Sequence, residues 1–415
     1  MNPMVDKQGD GPARWSDVLP RARPRPFDRP SRPSGRPRMV GLLVHSLAER
    51  QGAIVDSVQA VCREVGARLL VRHTSRAEPG RAQVLQFLDA GADTVVVAGG
   101  DGTVRLAAGV LAGAGANQCT LGILAAGSGN VLASALGLRR GSVSGRARVA
   151  VLGDLADLDV GLASCWDEHG QPVAPQPFCT MVGMGRDALS VQSTHRRTKR
   201  VLGPLAYGVA GLGQLPRRGF EMSWRTDDTP WRRGRYWSVL ATNTPLLPGM
   251  GPLRAGAVLA DRARMDDGLL DVVATRPENP GHWMAIAAAG LLNTRTATRG
   301  LQRAQGARVT IEPDQPLPVQ ADGDIICARA RQLLAEWRSI SATVAWTEPC
   351  GRQRPDRVAH TEGLRVGGVH VPVAARRDHN AAVMMAAICF TFSVLVVGPQ
   401  SMLTTSVGQP RESGR

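Results

Sequence analysis

From Met39 onward, strand-length apolar runs alternate with helix-period segments, and this alternation limits the chain to an α/β fold built on a parallel sheet. MVGLLVH (39–45), RLLVR (68–72), TVVVA (94–98) and TLGILA (120–125) read as strands. Ile54 to Val65, Arg81 to Leu88, Val104 to Leu111 and Asn130 to Leu136 read as the helices that follow them. Parallel strands require such crossovers, and an open parallel sheet takes its ligands at the carboxyl ends of its strands. Two Gly-rich turns fall there: GGDGT (99–103) after the third strand and AAGSGN (125–130) after the fourth.

A strand that ends in Gly99, Gly100, Asp101, Gly102 and Thr103 and then turns helical presents backbone N–H groups with no Cβ in front of them, at the positive end of a helix dipole. Phosphate fits such a turn. The carboxylate of Asp101 would repel bare phosphate, so its presence points to a metal-water shell or to a hydroxyl proton. Thr103 adds a hydroxyl donor. Gly127, Ser128, Gly129 and Asn130 repeat the pattern one strand later, freeing the backbone and offering side-chain donors at a second helix start. Either turn alone is compatible with plain strand-to-helix geometry, but that explanation is weaker for two on successive strands facing one crevice.

Beyond about Asp154 the texture changes to spaced strand-like runs: DLDVGLA (157–163), FCTMVG (178–183), YWSVLATN (236–243), LLDVVAT (269–275), RVTIEP (308–313) and LPVQADGDII (317–326). These predict a β-rich second domain, with helical inserts near Leu205 to Leu215 and His282 to Leu292. The expected organisation is a basic, Pro-rich arm over 1–38, a parallel-sheet domain over 39–154, a β-rich, sandwich-like domain over 155–346, a polar linker over 347–380, and an apolar segment with its tail over 381–415. The arm holds eight prolines and nine Arg or Lys, with too few apolar groups to offset its chain entropy, and is expected to be disordered.

Charge and rare residues exclude several classes. Lysine occurs only at Lys7 and Lys199, neither of them in a GxxxxGK[ST] loop or a V-A-I-K strand, which removes Walker-type NTPases and protein kinases. The seven cysteines form no CxxC pair and the eight histidines no HExxH, so any metal should be a hard, oxygen-bound ion. No apolar signal region opens the chain, and a reducing, cytoplasmic setting is expected. The net charge of +15 points to an anionic partner. Nucleic acid is disfavoured, because only 4% of residues are aromatic and none interleave the basic runs.

Here the motifs combine. VVVAGGDGTVRLAAGVL followed by LGILAAGSGNVLASALGL resembles the catalytic domain of the diacylglycerol kinase and sphingosine kinase superfamily, especially its soluble bacterial lipid kinases. FCTMVGMGRDALSV, KRVLGPLAYGVAGL, ADRARMDDGLLDVV and VQADGDII continue the resemblance in family order across roughly residues 39 to 346. The resemblance implies a nucleotide-binding α/β domain followed by a β-sandwich-like domain, with ATP between them. It implies that Thr74 and Ser128 hydrogen-bond the nucleotide and that Gly99 to Thr103 pack on its phosphates. Asp267, with the backbone carbonyls of Arg264 and Leu269, is where the bacterial relatives hold Mg²⁺. Asp324 takes the place of the family's catalytic Glu, with Asp101 as a second catalytic candidate. Read without the resemblance, Asp324 is better explained as a hairpin residue, since Asp-Gly favours tight turns.

Three positions depart from the family pattern. HSLAERQG (45–52) replaces an Asn-Pro-x-Ser-Gly strand end, Val104, Arg105 and Leu106 replace x-Asn-Glu, and Val131 replaces an Asp. The GGDGT turn is shared with NAD kinases, and a pseudokinase or membrane-binding scaffold is a third alternative. A lipid substrate would bring the chain to an anionic membrane surface as a peripheral protein, and HRRTKR (195–200) is a candidate contact. The 18 uncharged residues Ala381 to Gly398 are a candidate membrane anchor, spanning ~27 Å as a helix, a length that fits an unanchored extension equally well.

Overall fold

The computed structural model describes residues 37–346 except 115–118, 128, 140, 194–216, 248–256, 259, 261 and 293–297, together with Gly35 and the pairs 365–366 and 369–370. The chain divides into two compact units, 1–350 and 351–415. In the first unit, β1 (Met39–Val44), β2 (Arg68–His73), β3 (Thr94–Gly99) and β4 (Thr120–Ala125) run parallel in the order β2-β1-β3-β4. The chain reverses its direction of travel across the sheet between β1 and β3. Side chains alternate along each strand, so each strand feeds two cores. Leu43, Val95, Val97, Leu121 and Ile123 pack with Val104, Ala107 and Leu111 of α3 (Asp101–Gly113) and with Phe87 of α2 (Arg81–Asp89). Val40, Leu42, Val44, Val96 and Ala98 pack on the other face with α1 (Gln51–Val65) and α5 (Val143–Leu152). Burial on both faces is why these strands read as unbroken apolar runs.

The sheet does not stop there. β5 (Asp154–Asp167) runs antiparallel to the 23-residue β17 (Asp324–Trp346), whose far end pairs in parallel with β4 at Thr343 and Val344. Irregularities between Ala330 and Gln332 and between Trp337 and Ser341 let β17 change course on its way, as bulges do. Around its first half lie β6 (Pro172–Phe178), β7 (Met181–Gly185), β8 (Phe220–Thr226), β9 (Arg232–Tyr236), β10 (Ser238–Thr242), β13 (Leu270–Thr275), β14 (Leu301–Gly306), β15 (Arg308–Pro313) and β16 (Leu317–Ala321). β14-β13-β10-β7-β16 form one run, and β9-β8-β15 and β5-β6 extend from β17. Between them lies a core of Phe178, Met184, Trp224, Tyr236, Val272, Ile311 and Leu333. Trp224 and Tyr236 meet edge to face at 6.3 Å.

The α/β class, parallel sheet and β-rich second half are as read from the sequence. Several boundaries differ for physical reasons. α3 starts at Asp101 rather than Val104, since first-turn glycines leave only N–H groups that a helix start never pairs. FCTMVG is not one strand: β6 ends at Phe178 and β7 starts at Met181, because the N–H groups of Cys179 to Met181 turn to the carboxylate of Asp322. YWSVLATN breaks at Trp237, whose N–H donates to the Thr275 carbonyl at 2.7 Å as the chain passes from β9 to β10. α5 was not legible from apolar periodicity, although Ser142 caps it by accepting the Gly145 N–H at 3.1 Å. The predicted helix near His282 is α7 (Pro280–Leu292), while α6 (Arg186–Ser193) follows β7.

The arm over residues 1–34, Leu205 to Leu215, His195 to Arg200 and Ala381 to Gly398 lie outside the described residues. Among the described residues no helix is long and apolar enough to cross a membrane. Two short pairs complete the described strands: β11 (Leu246–Leu247) with β12 (Ala257–Val258) in the first unit, and β18 (Arg365–Val366) with β19 (Val369–His370) in the second.

Candidate active site

Three loops converge at the carboxyl end of β3. The first is the start of α3; the second is the 125–130 turn; the third is the hairpin tip between β16 and β17. At that tip Asp322 and Gly323 both have positive φ, 47° and 83°, the two-residue turn that matches strand twist. The buried Asp322 carboxylate accepts the N–H groups of Cys179 (2.8 Å), Thr180 (2.8 Å) and Met181 (3.0 Å), and the Thr180 hydroxyl as well. These bonds pin the hairpin to the β6–β7 junction. Asp322 is therefore the turn former, and Asp324 is the first residue of β17 beyond it.

Asp324 lies against the first turn of α3. A Cβ added at Gly102 would stand 2.7 Å from Asp324 Oδ2, so only glycine leaves room for the carboxylate there. Arg105, on the same helix, reaches the same oxygen with Nη2 at 3.3 Å. Its side chain is 9% exposed, whereas that of Asp324 is 49% exposed. Arg105 Nε and Nη1 are buried and meet no acceptor among the described residues.

Asp101 turns the other way. Its Oδ1 accepts the Leu132 N–H at 3.3 Å, at the start of α4 (Val131–Ala135). This carboxylate is largely enclosed. Burial, followed by the charge of Asp322, pushes its carboxyl up to about 6 against the opposing N–H groups of Leu132, Val131 and Asn130. Asn130, with φ 51°, accepts the Gly127 N–H at 3.0 Å through Oδ1 and donates Nδ2 to the Gly127 carbonyl. Its amide thus holds the turn closed, with Gly127 pressed on the backbone of Gly100. Thr103 packs back against Gly99, and Thr74 and Thr103 flank Gly80. The Thr74 hydroxyl accepts the Ser46 N–H at 3.1 Å, bracing the loop after β1. Ser128 lies outside the described residues.

Asp267 belongs to a separate acidic turn. Its Oδ1 accepts the Leu269 N–H at 3.0 Å and its Oδ2 meets Gln305 Nε2 at 3.4 Å. Asp159 of β5 accepts the Gly268 N–H at 2.7 Å. Its carboxyl is raised to about 6, first by burial; Gly268 and Trp337 oppose the rise and the charges of Asp267 and Asp266 add to it. Asn243 ties this turn to the hairpin anchor, donating to the carbonyls of Asp159 (2.9 Å) and Cys179 (3.4 Å). Among the described residues no three His, Cys, Asp or Glu side chains group to hold a metal. The set implied by the resemblance needs one carboxylate and two backbone carbonyls of Arg264 and Leu269, and these hard oxygens beside crowded carboxylates fit a divalent cation.

The convergence thus gathers Gly99, Gly100, Asp101, Gly102, Thr103, Asn130 and Asp324, with Thr74 at its edge. Sequence reading did not assign Arg105, Asp322 or Asp159 to the site. Only Arg105 carried a clear signal, a charge inside an otherwise apolar helix face, where burial demands a partner.

Residues 41–163 match the diacylglycerol kinase catalytic domain, and residues 180–336 match the YegS C-terminal NAD kinase beta sandwich-like domain. A Xanthomonas axonopodis pv. citri protein named "Probable lipid kinase YegS-like" is 31% identical over 278 residues, covering 63% of this chain and 82% of the relative. A Pseudomonas aeruginosa protein of the same name is 32% identical over 220 residues; the match covers 52% of this chain and 66% of that relative. A Bacillus subtilis diacylglycerol kinase is 25% identical over 233 residues, covering 56% of this chain and 71% of the relative. The crystal structure of a diacylglycerol kinase from Bacillus anthracis superposes with a TM-score of 0.53 at 17% identity, over 76% of this chain and 99% of that one, a likeness of fold. With both halves of the sheet matched in order, this chain belongs to the diacylglycerol kinase catalytic-domain family, among its YegS-like lipid kinases.

Proposed function

We propose that this chain transfers the γ-phosphate of ATP to a hydroxyl of a diacylglycerol-like lipid, with Asp324 as proton acceptor. One observation carries the reading: a half-exposed carboxylate stands against the first turn of α3, whose free N–H groups and positive dipole end suit phosphate. In the step, the lipid oxygen forms a bond to the γ-phosphorus, the bond from that phosphorus to the β,γ-bridging oxygen breaks, and ADP leaves. The hydroxyl proton passes to Asp324. Such a reaction asks for positioning and electrostatic stabilisation more than covalent help. Gly99 to Thr103 would hold phosphate oxygens through their N–H groups, with Thr74 and Ser128 toward the nucleoside. Mg²⁺, when bound, supplies positive charge for the phosphates and, at Asp267, compensates clustered carboxylates.

The family membership supports a kinase-type phosphotransferase, and the substrate would be drawn from an anionic membrane surface by peripheral contact. The match to the diacylglycerol kinase catalytic domain and the likeness to relatives named as lipid kinases favour this reading over a nicotinamide-nucleotide kinase. Purified protein given labelled ATP, Mg²⁺ and a panel of lipids with free hydroxyls in detergent micelles tests it. Label should appear in diacylglycerol or a close analogue; label in NAD instead, or in no acceptor, would overturn the proposal. A second reading, a nucleotide- or membrane-binding member without turnover, draws on the engagement of Asp324 by Arg105. Nucleotide binding without label transfer is its signature in the same experiment.

A further inference from the structure

A buried guanidinium with a single acceptor among the described residues is an unusual structural choice. Taking a charge out of water costs several kcal/mol unless its donors are satisfied, and ~five N–H donors need partners. Arg105 has the Asp324 carboxylate at 3.3 Å, while its Nε and Nη1 are buried with no acceptor among the described residues. An apolar side chain of similar length would fill the same place at the α3 face beside Val104 and Ala108 without that penalty. The charge is therefore not explained by the stability of the fold. Its reach explains it better: helical side chains lean toward the helix N-terminus, which carries the guanidinium of Arg105 back to the level of Gly102. There it meets a carboxylate that arrives from a different element, the start of β17.

We infer that Arg105 is a positioning residue, holding the Asp324 carboxylate over the first turn of α3 so that its second oxygen faces the attacking hydroxyl. The Oδ2 atom of Asp324 is the one engaged by Arg105 and the one closest to the Gly102 position; Oδ1 is left for the proton. Asp322 fixes the backbone on which Asp324 sits, through its bonds to Cys179, Thr180 and Met181, and Arg105 fixes the side chain. A carboxylate half exposed to solvent and tied by no neighbour would sample several rotamers, and misplacement by about 1 Å can cost ~100-fold in rate. This inference rests on the reading of Asp324 as the proton acceptor.

The experiment compares Arg105→Met, Arg105→Lys, Asp324→Asn and the double variant Arg105→Met/Asp324→Asn, using labelled ATP, Mg²⁺ and the acceptor lipid found by the panel, with thermal melts of each. Arg105→Met should melt at or above the wild-type temperature, lower kcat by ~10- to 100-fold, and leave KM for ATP within about twofold. Arg105→Lys should recover part of that loss, because a cation within reach still holds the carboxylate. The double variant should be no slower than Asp324→Asn alone, since positioning has no effect once the base is gone. Wild-type kcat in Arg105→Met would overturn the inference, and so would a loss that multiplies with that of Asp324→Asn, or one confined to KM for ATP. If Asp324→Asn is itself fully active, the proposed function of Asp324 fails, which is a separate result.

Discussion

At the residue scale, two aspartates two positions apart have different tasks. Asp322 is a buried acceptor for three backbone N–H groups, and its loss leaves them unsatisfied. Asp322→Ala should therefore destabilise the protein by roughly 2–4 kcal/mol in urea unfolding. In the run ADGD both carboxylates flank Gly323, and the pairing of Ala321 with Asp324 is what separates them. Asp101 offers a pH signature. Its carboxyl is raised in the folded state to about 6, so folding favours the protonated form. That contribution is complete below about pH 4 and declines as pH climbs toward 6, beyond which it is gone. Asp101→Asn mimics the protonated form. Its melting temperature should match wild type near pH 4, rise above it progressively to about pH 6, and keep a constant lead at higher pH. An unchanging difference across that range would contradict the burial of Asp101. That Asp101 and Asn130 sit in turns at strand ends was legible because Gly-rich strand ends announce themselves. That Asn130 closes its own turn was not, because a left-handed asparagine looks in sequence like any donor.

At the element scale, the site depends on close approach between backbones. Gly127 lies against the Gly100 backbone, where a methyl group has nothing movable to displace. At Gly102 the obstacle is the Asp324 carboxylate, the end of a side chain that can swing away. The two substitutions should therefore separate. Gly102→Ala should keep its thermal melt within a few degrees of wild type while losing about 10- to 100-fold in turnover. Gly127→Ala should lose stability, roughly 1–3 kcal/mol by urea unfolding, together with activity. The parallel strands and their helices were legible because two-sided burial writes long apolar runs. The breaks at Cys179–Thr180 and at Trp237 were not. Both are caused by hydrogen bonds to residues far along the chain, Asp322 and Thr275, and local sequence carries no trace of a distant acceptor.

At the scale of the first unit, β17 makes one sheet of what reads in sequence as two domains. It begins at the site with Asp324, runs through the β-rich core at Ala330, Leu333 and Ala335, and ends beside β4 with Val344 in the parallel-sheet core. Both halves draw core residues from it. Urea unfolding followed by far-UV circular dichroism, weighted to the helices, and by tryptophan fluorescence, weighted to the β-rich half, should give coincident midpoints. Separated midpoints would mean that the halves are independent. The same continuity brings α3 and the β16–β17 hairpin together, so the GGDGT turn and the Asp324 carboxylate meet although they lie more than 200 positions apart in sequence. The most direct measurement is single-turnover phosphoryl transfer from ATP to the acceptor lipid by Asp324→Asn. A rate lower by ~10² to 10⁴ with unchanged nucleotide affinity is the predicted result; transfer at the wild-type rate would contradict the assignment of this carboxylate to the reaction.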